Sequence, residues 1–132
     1  IGQGLVQSAH DVSDGGLLMA ISEMLIATAP RPGDAKKIRP LGADVLATPG
    51  DAAMKLLDPA TFAFGESPSC YVLEVREFDL AAVQSAILKT PGLRHVTPIA
   101  RLNDSARLTW KSQQVNESVE TLRDAWMKPL DW

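Results

Sequence analysis

His10-Asp11-Val12-Ser13-Asp14-Gly15-Gly16 gathers two carboxylates, an imidazole, a hydroxyl and two glycines ahead of an apolar run. Glycines let a chain turn tightly and bring its N–H groups against a ligand, and a helix start favours negative charge. Asp11, Ser13, Asp14, Gly15 and Gly16 are therefore candidates for a turn that closes a phosphate or nucleotide pocket. The same residue types also make an ordinary helix cap and turn, with Ser13 or Asp14 as the capping residue. Histidine is suited to acid–base work near neutrality. His10 has no paired base or nucleophile in the sequence around it, so it reads as a hydrogen-bonded structural residue.

A second cluster, Gly65-Glu66-Ser67-Pro68-Ser69-Cys70, precedes a strand-like segment. Glu66 and Ser67 are candidates for ligand contact there, with turn capping as the plainer role. Cys70, the chain's single cysteine, is expected to be a small buried hydrophobe, and it allows neither an intrachain disulfide nor a cysteine metal cluster. With His10 and His95 the only histidines, a conventional zinc site is not expected. Lys36, Lys37 and Arg39 could meet an anion, but such charges usually face water.

These clusters need elements to position them. Leu5–Val12 reads as a strand and Gly16–Thr28 as a helix that is apolar nearly all round, which implies burial on more than one side. Ala29–Pro40 is an expected loop, Gly42–Ala47 a strand, Thr48-Pro49-Gly50 a turn and Asp51–Leu57 a short helix. Tyr71–Val75 alternates as a strand, and Phe78–Lys89 is an amphipathic helix with Leu80, Val83 and Ile87 on one face. Val96–Leu102 and Arg107–Lys111 are expected strands, with a hairpin around Asn103-Asp104. Asn116 or Ser118 caps a last helix through Trp126. This alternation predicts an α/β sandwich with helices stacked on a mixed sheet.

Composition narrows the classes. A chain of 132 residues with 45% apolar and 22% charged residues suits one globular domain. A net charge of −3 gives no footprint for nucleic acid. No apolar run is long enough for a membrane span and no signal sequence is visible, so a reducing cytoplasm is the expected compartment. The opening at Ile1 and the closing Trp126, Pro129 and Trp132 suggest a piece of a larger protein, with aromatics left for a neighbour to cover.

The residues His10-Asp11-Val12-Ser13-Asp14-Gly15-Gly16-Leu17, the helix with Glu23 and Met24, and Phe64-Gly65-Glu66-Ser67-Pro68-Ser69 resemble the phosphoribosylformylglycinamidine synthase family. The closing Leu122-Arg123-Asp124-Ala125-Trp126 is also similar to the end of that family's synthetase portion. The resemblance is to the C-terminal domain of the second synthetase half. It implies a three-layer α/β/α, partially ferredoxin-like domain shared with aminoimidazole ribonucleotide synthetase. It also implies a carbon–nitrogen ligase of purine biosynthesis. ATP activates the formamide oxygen of formylglycinamide ribonucleotide, and ammonia from glutamine displaces phosphate to give the amidine.

ATP and Mg2+ would be bound mainly by domains outside this chain, and the isolated fragment would be inactive. The implied partners are sibling synthetase domains and a glutaminase domain or subunit, with room for a homodimer of the fragment.

In the family's first half a Glu-Ser-Gln triplet contacts the ribonucleotide, and Glu66, Ser67 and Pro68 occupy the corresponding place. Pro68 lacks a side-chain amide and a backbone donor, and Cys70 stands where the second half often has a phosphate-gripping arginine. These departures suit a half whose pseudo-symmetric site has become structural.

Two other readings remain. Selenophosphate synthetase, thiamine monophosphate kinase and aminoimidazole ribonucleotide synthetase share the superfamily, but tend to a Thr-Gly-Gly-Gly type of turn. A free-standing dimeric ligand-binding module would instead bury the Leu17–Ala27 helix between two copies.

Overall fold

The computed structural model describes residues 4–30, 39–46, 58–66, 68–93 and 96–128. The expected turn at Thr48-Pro49-Gly50 and helix at Asp51–Leu57 lie outside these residues, as do Lys36, Lys37, Ser67, His95 and Trp132. The elements run β1 (Val6–Asp11), α1 (Gly16–Ala27), β2 (Gly42–Val45), α2 (Pro59–Phe64), β3 (Tyr71–Val75), α3 (Leu80–Leu88), β4 (Ala100–Asn103), β5 (Arg107–Trp110), β6 (Val115–Ser118) and α4 (Val119–Met127). This is the α/β class that the alternation predicts.

The strands form a mixed four-stranded sheet in the order β4-β2-β5-β6 and a separate antiparallel pair, β1-β3. Strand β2 pairs antiparallel with β4 and parallel with β5, so the expected β4–β5 hairpin does not form. Asp44 of β2 accepts from Asn103 Nδ2 at 3.1 Å and from the Thr109 hydroxyl, tying β2 between the two strands. The connecting turn folds over Gly42, where a Cβ would lie 2.6 Å from the Arg107 carbonyl oxygen and 2.7 Å from Asn103 Oδ1. Strand β4 also starts later than the sequence suggests, because Pro98 has no N–H to give to a ladder. Strand β6 follows a left-handed turn residue, Gln114, at φ 58°, and its short polar sequence carries little strand signal.

The core is built around α1. Leu17, Leu18, Ala20, Ile21 and Leu25 pack with Ala43 and Val45 of β2, Leu108 and Trp110 of β5, Phe62 and Ala63 of α2, and Val119 of α4. Val72 of β3 packs against the same cluster, so α1 is covered from several directions, with Met19 left exposed. Phe62 and Trp110 meet edge-on with centroids 5.5 Å apart, an arrangement favoured by the ring quadrupoles. Thr28 closes the helix and ties the Leu41 segment to its end. Its hydroxyl donates to the Leu25 carbonyl at 2.7 Å and accepts from Leu41 N–H at 2.9 Å.

Helix α2 is absent from the sequence expectation, which ended a helix before Pro59. Asp58 caps it, accepting from the N–H groups of Ala60 and Thr61 at 3.0 and 3.1 Å, and Pro59 fits the first turn where no donor is needed. Helix α3 begins after a single 3-10 turn, Glu77–Asp79, and buries Val83. Ser118 caps α4 by accepting from Thr121 N–H at 3.0 Å. Trp126 remains 47% exposed on α4.

Candidate functional site

Strand β1 ends at Asp11, where the chain must reverse into α1. The reversal uses two consecutive left-handed residues, Gly15 at φ 79° and Gly16 at φ 75°. Gly16 N–H donates to the Ser13 carbonyl at 3.0 Å and closes the turn. A Cβ on Gly16 would stand 2.5–2.8 Å from the backbone of Phe64, so this glycine is required twice over, by conformation and by the close approach of α2. Gly15 itself takes the capping position of α1, and neither Ser13 nor Asp14 makes a side-chain cap. The expected capping role is thereby corrected. The Ser13 hydroxyl turns back to the Asp11 carboxylate instead.

The second cluster meets the first. Glu66 Oε1 accepts from Gly15 N–H at 3.4 Å, placing a carboxylate at the positive end of α1. Val12 N–H donates to the Cys70 carbonyl at 2.9 Å, and Asp11 pairs with Tyr71 across β1 and β3. Between these segments lies an open cleft of about 270 Å³ lined by Asp11, Val12, Ser13, Glu66, Pro68, Ser69, Cys70 and Tyr71. Asp11, Ser13 and Glu66 face one hollow, and the two glycines form the turn beside it. Asp14 is exposed and is not part of the lining, and Ser67 lies outside the described residues.

Electrostatics set the chemistry. The Ser13 hydroxyl, followed by backbone hydrogen bonding and the neighbouring His10, holds the Asp11 carboxyl below its ordinary value of 3.8. The cleft thus presents an ionised carboxylate beside a second acidic side chain, and among the described residues its lining holds no lysine or arginine. Direct contact with a bare phosphate is opposed by that charge. Among the described residues, no three His, Cys, Asp or Glu side chains are placed to hold a metal ion. The donor set of the described residues therefore does not by itself fit a bound Mg2+.

Cys70 is exposed at the cleft, a correction to its expected burial. Ser69 at φ 62° turns the chain just before β3, so the Cys70 backbone pairs with β1 while its side chain stays outside the core. Tyr71, 65% exposed, is a cleft residue that the alternation of β3 assigned only to a strand. Its place opposite Asp11 comes from register, which the sequence does not display. His10 takes the expected hydrogen-bonded role, bridging to Glu23 of α1 at 2.8 Å.

Residues 1–111 match the family "AIR synthase related protein, C-terminal domain". The chain is 41% identical over 90 residues to phosphoribosylformylglycinamidine synthase subunit PurL of Rhodopseudomonas palustris (strain TIE-1), covering 68% of this chain and 10% of that protein. The corresponding subunit of strain BisA53 is 32% identical over 126 residues, 94% of this chain and 14% of the relative. That of Gluconobacter oxydans (strain 621H) is 36% identical over 73 residues, 55% of this chain and 8% of the relative. The chain thus spans about a tenth of the length of the first of these relatives.

Proposed function

The chain belongs to the AIR synthase related C-terminal domain family, and from that premise we propose that it is the C-terminal domain of the second half of a phosphoribosylformylglycinamidine synthase. The observation that carries this reading is the meeting of the Asp11–Gly16 turn with the Glu66 loop at one open cleft, joined by the Gly15–Glu66 contact. Both landmarks of the resemblance converge there, and the named relatives support the same parent.

In this role the domain supplies one wall of an interdomain cleft, where ligands commonly sit. Asp11, Ser13 and Glu66 face the opening, Gly15 and Gly16 form the turn at its side, and Asp14 and Ser67 belong to the same two segments. The parent reaction joins phosphoryl transfer from ATP to amination, so positioning and electrostatic stabilisation dominate its catalysis. ATP and Mg2+ are held mainly by the sibling domains, which supply the cationic partners missing among the described residues of this wall. The acidic lining orients a metal-bound nucleotide or a donor-rich neighbour rather than a bare phosphate. Pro68 and Cys70 give no grip for a ribonucleotide phosphate, so the contribution of this wall comes from the Asp11 and Glu66 carboxylates. The domain performs no chemistry alone, works beside a glutaminase domain or subunit, and resides in the cytoplasm.

The test is ammonia-dependent ADP release with formylglycinamide ribonucleotide, measured on the chain alone and on the chain assembled with the rest of the synthetase. Activity only in the assembly is the expected result. A folded, demonstrably assembled protein without activity on this substrate would overturn the assignment.

A further inference from the structure

Behind the cleft, the His10 ring stands between two acceptors. Its Nδ1 lies 2.7 Å from the Asp11 carbonyl oxygen, and its Nε2 lies 2.8 Å from Glu23 Oε2 on α1. Asp11 Oδ1 is a further 3.6 Å neighbour of Nδ1. A carbonyl oxygen and an ionised carboxylate have no hydrogen to give. A neutral imidazole has one N–H and one lone pair, so it can satisfy only one of these two contacts. The other would then set lone pair against lone pair at hydrogen-bond distance. The imidazolium, with a donor on each nitrogen, satisfies both.

We propose that His10 is a proton-dependent clamp between β1 and α1. Doubly protonated, it fastens the Asp11 backbone, and with it the entry to the glycine turn, to Glu23 about two turns into the helix. Loss of a ring proton releases one end. The carboxylates in contact with the ring, Asp11 on its own strand and Glu23 on α1, suit a positive charge there, and the titratable groups on β3 are Tyr71 and Glu74. Glu74 is itself held by the Ser8 hydroxyl at 2.7 Å, on the face of the strand pair that carries His10. The clamp rests on ring geometry and does not depend on what the cleft binds.

Long-range 1H–15N NMR of the imidazole, run on the 132-residue chain from about pH 5 to 8, reads the protonation of each nitrogen directly. Amide exchange at Val12 and Gly16, corrected for the intrinsic pH effect, reads the turn over the same range. The expected result is protons on both nitrogens at the acid end, with exchange rising about tenfold as the ring loses one. His10→Gln abolishes this step. So does Glu23→Gln, whose amide can serve either ring form. Turn protection that stays constant through ring deprotonation would overturn the clamp, as would the same step persisting in either variant. The wild-type titration decides the matter even where a variant fails to fold.

Discussion

The backbone N–H of Gly15 donates to Glu66 Oε1 at 3.4 Å, so the carboxylate at the start of α1 comes from a residue 51 positions later in the chain. No side chain local to the helix takes that role. Glu66→Gln keeps the shape and removes the charge that complements the helix dipole. The expected loss is about 0.3–1 kcal/mol at low ionic strength, shrinking with added salt. Urea unfolding of both proteins at low and high salt checks it, and an equal loss in both buffers would contradict the electrostatic origin.

Gly16 and Gly92 separate conformation from crowding. Both have left-handed backbones, at φ 75° and 90°, but a Cβ would strike the Phe64 backbone at Gly16 and meet nothing within 4 Å at Gly92. Gly92→Ala should cost about 1–2 kcal/mol from backbone strain alone. Gly16→Ala should cost clearly more, because α2 must move. Thermal unfolding of the two variants side by side measures the difference.

Leu25 is 1% exposed at the centre of the α1 contacts. Leu25→Ala should destabilise the fold by about 2–5 kcal/mol through lost burial and a residual cavity. Exposed Met19→Ala, on the same helix, should cost far less. Denaturant midpoints with unchanged slopes would confirm that packing rather than compactness has changed.

Acid should weaken the protein in a defined direction. Asp58 lies below its ordinary value of 3.8, mainly through the Thr61 hydroxyl and then the Thr61 backbone N–H, and Asp11 is lowered by Ser13. A depressed carboxyl contributes stability that is fully present above its unfolded value and is lost as pH falls through the lower folded one. The window therefore lies at and below 3.8. Asp58→Asn should flatten the wild-type decline in melting temperature over that range. Carboxyl 13C titration of Asp58 and Asp11 should show midpoints under 3.8, and midpoints above it would contradict the bonding described.

Local signals were readable where the physics is local. The strand at Tyr71–Val75, the glycine turn before α1 and the Ser118 cap each depend on neighbours within a few residues, whereas the buried face of that strand is set by Val72 rather than by the expected Tyr71 face. The exposed Trp126 was legible from the unbalanced aromatic end of the chain. Long-range pairing was not displayed. Strand β2 separates β4 from β5 because of Asp44, Asn103 and Thr109, residues that meet only after folding. Tyr71 joins the cleft through register with Asp11, and Cys70 leaves the core because Ser69 adopts a left-handed turn. Asp58 as the cap of α2 was a local signal, masked by reading Pro59 as a stop rather than as a first-turn residue.

The most direct test of the cleft is ammonia-dependent ADP release by the assembled synthetase carrying Asp11→Asn together with Glu66→Gln. If these carboxylates form a working wall beside the metal-bound nucleotide, kcat/KM for ATP should fall by at least about tenfold while the synthetase stays folded and assembled. Unchanged kinetics in a folded, assembled double variant would contradict the account and leave the cleft a purely structural junction.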